Sequence, residues 1–141
     1  SLHDALPISI RLISLSFQVV GPLTRNEVRR LLFFIANEMV LQANRIPNLD
    51  TYLAVQPFSH KNVQVVLFQV DERGAGLRHP TFNACSFNGD SLSYAATDPV
   101  GGPWASYKEE ITETYEEALE ALRKEYEQYK TAQMLDTSIS K

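Results

Sequence analysis

Cysteine is nearly absent from the sequence: Cys85 is the only one among 141 residues. A single cysteine excludes an intrachain disulfide, so an apolar core must hold the fold. Cys85 lies in a predicted strand, where a lone cysteine is more often a small buried residue than a reactive thiol. Because no base is visibly paired with it, we expect no thiol chemistry.

Long apolar runs and basic stripes are also missing. No apolar run approaches the ~18 residues that suggest a membrane span, so we expect no span. Residues 1–100 hold eight basic and eight acidic side chains, whereas 101–141 hold five and nine, which places the net charge of −4 at the C-terminal end. A phosphate backbone requires a basic surface. We therefore expect no nucleic-acid partner.

Motifs of catalysis and metal binding are missing as well. His60 and His79 stand in different loops without the spacing of metal ligands. The sequence has neither a G-x-S-x-G motif nor a phosphate-binding glycine loop. The dense glutamates at 109–120 fit a helix start and a solvated helix face better than an acid–base pair. We assign no catalytic, cofactor-binding or metal-binding residue.

The composition is that of one globular domain, with 44% apolar and 21% charged residues. Residues 1–9, SLHDALPIS, resemble translated sequencing-adapter read-through, and the alternative is an ordinary disordered leader. Residues 131–141 are polar and without period, which predicts a disordered tail. The predicted domain therefore covers 10–130.

Apolar periodicity and turn residues divide this domain into strands and helices. Thr24 and Glu27 form a capping box that starts the first helix, and Asn88-Gly89 is a hairpin turn. The predicted order is a strand at 11–20, a helix at 25–44, strands at 63–70, 81–87, 91–96 and 104–112, and a helix at 115–130.

These elements predict an α+β fold, a two-layer sandwich in the order β-α-β-β-β-(β)-α. The hairpins favour an antiparallel sheet of four to five strands, with both helices on one face. The strand VQVVLFQV at 63–70 is apolar on both faces, which predicts a central position. We predict a main core that contains Ile35, Met39, Val65, Leu67, Leu119 and Leu122.

The first helix carries more apolar residues than one sheet contact requires. Besides its main stripe, it has one row with Phe33 and another with Phe34. One sheet cannot cover both rows, so we predict a homodimer or protein partner at Phe33 or Phe34, with Arg29 or Arg30 at its rim. The alternative is that the 48–58 loop covers the second row. Trp104, after a Gly-Gly-Pro segment, is a further candidate partner or ligand contact.

Three short stretches resemble a family of small bacterial α+β domains, many of them exported lipoproteins. The matching residues are Gly21-Pro22-Leu23-Thr24, Tyr52-Leu53 with Pro57-Phe58 before Asn62, and Glu113-Thr114-Tyr115-Glu116-Glu117-Ala118. The resemblance covers about Ile13 to Leu122, and Ala43-Asn44 departs from the Ile-Asn of the family. It implies export and no enzymatic activity, so no catalytic residue is carried over.

Two hypotheses about function follow. The first is a non-enzymatic binding or interaction domain, bacterial and envelope-associated, because no catalytic constellation accompanies the apolar first helix. The second is a small-molecule-binding protein or an enzyme with a pocket between sheet and helices. A pocket with inward polar groups such as Tyr94, Asp98 or His79 would favour the second.

Overall fold

The computed structural model describes residues 9–55, 57–97 and 107–139 of the chain. Trp104, Asp98 and nearly all of the predicted leader 1–9 lie outside these ranges. The elements are β1 (Ile13–Val20), α1 (Arg25–Arg45), β2 (Val63–Val70), β3 (Ala84–Phe87), β4 (Ser91–Thr97), β5 (Tyr107–Thr114) and α2 (Tyr115–Ile139). The short 3₁₀ turns Asp50–Tyr52 and His60–Asn62 precede β2. The predicted α+β class, with five strands and two helices, is confirmed.

The sheet is mixed, with the strand order β1-β2-β3-β4-β5. β1 pairs with β2 in parallel, from Ile13 opposite Val63 to Val20 opposite Val70, and the other pairings among these five strands are antiparallel. The prediction of a purely antiparallel sheet was therefore wrong. The prediction failed because it took account of the hairpins but not of the long connection from β1 to β2, which contains α1. A crossover through a helix is the usual connection between parallel strands.

α1 begins at the predicted capping box. The Glu27 amide donates to the Thr24 hydroxyl at 3.2 Å, and the Thr24 amide donates to the Glu27 carboxylate at 3.1 Å. These bonds satisfy two backbone donors that the first turn would otherwise leave free. The helix ends at Arg45, just before Pro47, whose ring cannot continue it.

The core lies between one face of the sheet and the two helices. α1 covers β2 and β3, whereas α2 covers β5 and β4. The main apolar cluster of buried residues is Val28, Leu32, Phe33, Ala36, Val63, Val65, Leu67, Cys85, Phe87, Leu92, Tyr94 and Ala118.

Five of the six predicted core residues contribute to this cluster. Val65 and Leu67 are fully buried, and Ile35, Met39 and Leu122 are half-buried against it. Leu119 is 47% exposed, so its place in the predicted core was wrong. α2 turns Ala118 toward the sheet instead, and the next residue lies ~100° further round the helix.

α2 continues past its predicted end near 130 to Ile139, so 131–139 belong to the helix rather than to a disordered tail. The prediction of a tail depended on the polar, aperiodic sequence of this segment. The segment nevertheless contains strong helix formers, which favour continuation of the helix: Ala132, Gln133, Met134 and Leu135. Every side chain from 126 to 136 is exposed. In the part of the chain that the structure describes, neither helix has an apolar stretch suited to crossing a membrane.

Candidate interaction surface

The two phenylalanines of α1 have opposite surroundings. Phe33 is only 6% exposed, with its ring edge-on to Phe87 at 5.5 Å and near Tyr115 at 5.4 Å between centroids. Phe33 is therefore a core residue, and α2 covers its row through Tyr115. Phe34 is 63% exposed and remains a candidate contact residue.

Phe34 borders an open apolar depression, the Phe34 groove, with a volume of about 430 Å³. β1 and the turn after it supply two lining residues, and the first half of α1 supplies the rest. The groove is lined by Val19, Leu23, Glu27, Arg30, Leu31 and Phe34.

Gln69 fixes the turn that carries Leu23 into this groove. Its fully buried side chain accepts the Leu23 amide at 2.6 Å and donates to the Phe82 carbonyl at 2.8 Å. A side chain at Gly21 would collide with the Gln69 amide oxygen, so a larger residue there would displace the Gln69 side chain from its hydrogen bonds. The apolar wall of the groove thus depends on the buried polar side chain of Gln69. The alternation of side chains along β2 predicts that Gln69 points inward, but it does not predict these hydrogen bonds.

A second depression, the arm groove, adjoins the first at Arg30. It has a volume of about 340 Å³ and is lined by Arg30, Leu122, Glu125, Tyr126 and Tyr129. Arg30 and Glu125 form an ion pair at 3.1 Å that links α1 to α2. The two grooves therefore form one surface, with apolar side chains on both sides of an ion pair.

The 48–58 loop does not cover the Phe34 row. Leu53 and Phe58 pack with Ala43 near the end of α1 in a separate small cluster. Leu41, one row-mate of Phe34, is 44% exposed. The predicted exposed row of α1 therefore has no cover among the residues that the structure describes.

Arg29, predicted at the rim of the contact, lies instead in the protein interior. Its guanidinium binds both carboxylate oxygens of Glu113, with the closest contact 2.8 Å, and donates to the Asn26 side chain at 2.7 Å. Both partners of the ion pair are buried, and Arg25 approaches the same carboxylate at 3.8 Å. Arg30 alone occupies the predicted rim position.

Tyr94 lies beneath this ion pair. Its ring faces the guanidiniums of Arg25 and Arg29, 5.5 and 6.0 Å from the ring centroid. Burial, followed by the neighbouring Glu113 carboxylate, raises the pKa of the Tyr94 hydroxyl, although no hydrogen bond of good geometry joins that hydroxyl to any described group. The neutral phenol and the paired charges make this cluster a structural support for the helix–sheet contact.

His79 and Asp98 are the other two residues predicted as polar groups of a pocket. His79 is at the surface, 3.3 Å from the Glu109 carboxylate, and Asp98 lies outside the described residues. No group of three metal-ligating side chains occurs within the described ranges. The Phe34 groove lies between β1 and α1, and the arm groove lies between the two helices. Both are open to solvent, and neither is lined by Tyr94 or His79.

Comparison with known proteins adds no assignment. No protein family, curated protein or solved structure matches this chain. The exposed apolar surface at Phe34 therefore has to be interpreted from its own geometry and charge.

Cys85 provides a test of the core beneath this surface. Burial raises the pKa of its thiol from 9.0 to about 12, which leaves very little thiolate at pH 8. We expect a thiol reagent at pH 8 to label the folded protein about 100-fold or more slowly than the urea-unfolded protein. Absorbance of the released thiol group measures both rates. A Cys85→Ser variant supplies the blank, and similar rates in the two states would contradict the buried position.

Proposed function

We propose that the protein is a non-enzymatic interaction domain that binds a second copy of itself through the Phe34 groove. The observation that carries the proposal is Phe34, a large aromatic side chain 63% exposed at the edge of an apolar depression. Aromatic residues that can be buried against a partner dominate the binding energy of protein interfaces. A groove that is open to solvent also suits a polypeptide surface better than a small ligand, which needs enclosure on most sides.

The charges at the groove favour a second copy as the partner. Glu27 and Arg30 line the same groove with opposite charge. In a symmetric dimer each surface meets its own image, so Glu27 of each copy can approach Arg30 of the other, in addition to the Arg30–Glu125 ion pair within each chain. Such self-complementary charge adds orientation to an apolar contact. A partner surface carrying charge of only one sign would be repelled by either Glu27 or Arg30.

Replacing Phe34 with aspartate is expected to weaken the dimer about 30-fold or more, since loss of a central aromatic contact costs about 2 kcal/mol. Sedimentation velocity over a wide range of protein concentration measures the dissociation constant. The matched control is Leu119→Asp, an exposed apolar residue on α2 that lines neither groove. We expect the control to dimerise as the original protein does.

Two results would count against the proposal. The first is an original protein that remains monomeric at every concentration. The second is an equal loss of dimer in Leu119→Asp and Phe34→Asp, because a general effect of an added surface charge would then explain both. Circular dichroism confirms that each variant is folded before its association is compared.

A further inference from the structure

β1 is an edge strand with no visible protection against pairing. It stands at one end of the sheet order, and in the described part of the chain no strand pairs with its outer side. Its eight residues, ISLSFQVV, contain neither charge nor proline, and its register with β2 has no bulge. Charges, prolines and bulges are the devices by which proteins prevent edge strands from pairing with another chain.

The outward hydrogen-bonding groups of β1 follow from its pairing with β2. The Gly21 amide donates to the Val70 carbonyl at 3.0 Å, so by alternation the odd-numbered residues bond to β2. Four residues therefore direct their amide and carbonyl groups away from the sheet: Ser14, Ser16, Gln18 and Val20. Backbone groups of this kind require water or another strand as a partner.

The side chains next to this edge are apolar on the helix-facing side. Leu15, Phe17 and Val19 lie on that side. Their partners on β2 are Val65, Leu67 and Gln69, and all three are buried. Leu15 is nevertheless 44% exposed, since α1 lies over β2 and β3 rather than over the edge. Val19 also lines the Phe34 groove, so the groove and the strand edge form one continuous surface.

We propose that β1 pairs antiparallel with β1 of a second copy, across a two-fold axis at Phe17, to give a continuous ten-stranded sheet. This inference rests on the proposed function, because it names the mode by which the second copy binds. It is strand addition at an exposed edge, in which main-chain hydrogen bonds supply much of the contact. The axis stands perpendicular to the sheet, so the symmetric partner strand is antiparallel.

A two-fold axis at Phe17 sets the register in which the outward backbone groups of all four residues find hydrogen-bond partners. It places Ser16 opposite Gln18 of the second copy and Ser14 opposite Val20, so that all four outward residues fall in hydrogen-bonded pairs. On the helix-facing side it places Leu15 opposite Val19 of the second copy. That contact covers the exposed Leu15 and brings the two Phe34 grooves to the same side of the joined sheet.

The interface area supports an edge contact in addition to the groove. A stable interface buries about 800 Å² on each partner. An aromatic side chain offers about 150–250 Å² in all, so Phe34 alone supplies a small part of that area. A strand of eight residues added along the edge extends the contact by ~26 Å.

Amide hydrogen exchange measured by NMR tests the pairing directly. At concentrations where the protein is dimeric, we expect the amides of Ser16 and Gln18 to exchange about 100-fold or more slowly than in a diluted, monomeric sample. A Gln18→Pro variant removes one outward donor while leaving the pairing with β2 intact, and we expect its dimer to be about tenfold or more weaker. Gln18→Ala, which keeps the amide, is the control and should dimerise normally.

The outcomes separate this inference from the proposed function. A dimer that Phe34→Asp weakens, but in which Ser16 and Gln18 exchange fast, overturns the strand pairing and leaves the groove contact standing. Protection of the two amides that does not depend on concentration overturns the pairing as well, since the chain itself would then cover the edge. A monomer at every concentration overturns both. If Gln18→Pro fails to fold, exchange in the unmodified protein decides.

Discussion

Replacement of Arg29 by methionine is expected to lower the free energy of unfolding by about 3–5 kcal/mol, because it leaves a buried carboxylate without its partner. Arg29 is 2% exposed and Glu113 is 5% exposed. Arg29 donates from two guanidinium nitrogens, Nη2 to Oε1 of Glu113 at 2.9 Å and Nε to Oε2 at 3.1 Å, which is the strong, bidentate form of an arginine–carboxylate pair. Urea unfolding at a fixed protein concentration measures the change.

Two further variants show whether the buried charge is the cause. Arg25→Met removes a more exposed guanidinium, 3.8 Å from the same carboxylate, and we expect a loss below about 1 kcal/mol. The double variant Arg29→Met/Glu113→Leu removes both charges, and we expect it to regain most of the stability. A loss below about 1 kcal/mol in Arg29→Met alone would show that water reaches the Glu113 carboxylate.

Leu32→Ala is expected to destabilise the fold by about 2–5 kcal/mol, through lost burial and the cavity that remains. Leu32 is fully buried in the main cluster between α1 and the sheet. Leu119→Ala deletes the same atoms from a side chain that is 47% exposed, and we expect a change below about 1 kcal/mol. Thermal or urea unfolding of the pair gives the comparison. Equal losses would mean that α2 is rotated and that Leu119 faces the core.

Local chemistry made most element positions predictable. Thr24 and Glu27 form the capping bonds that their spacing indicates, and Thr114 accepts the Glu117 amide at 3.1 Å at the start of α2. Gly89 has a φ of 82°, which glycine adopts without strain, in the turn closed by the bond from the Asn88 amide to the Ser91 carbonyl. Each of these features depends on residues within a few positions of one another, so the sequence displays them directly.

Long-range pairing was not predictable in the same way. The partners in β1 and β2, such as Ile13 and Val63, stand far apart in the chain, and both strand directions suit the same alternation of side chains. Only the helical crossover distinguishes them. The end of α2 was missed because its last turns have no buried face.

The candidate surface was predictable in part. The two extra rows on α1 indicated an exposed phenylalanine, but which row α2 would cover depended on the packing of Tyr115. The density of glutamates at 109–120 predicts a solvated Glu113, whereas alternation along β5 directs its side chain inward. The missed signal was Arg29, a cation between the apolar positions of α1 that needs a buried anion. Arg29 and Glu113 are 84 positions apart in the sequence, so only the folded structure shows that they form a pair.

The parallel attachment of β1 has a consequence for how the molecule opens. β2 to β5 form a meander whose antiparallel partners are close in sequence, whereas β1 joins the sheet only after the long loop through α1 has closed. Because closing so long a loop costs more entropy than closing the hairpins, we expect β1 to join the sheet last. When β1 detaches, β2 becomes the edge of the sheet, and its run of apolar residues accepts any free copy of β1. Exchange of β1 between molecules, giving intertwined chains at high concentration, is therefore the expected form of misassembly.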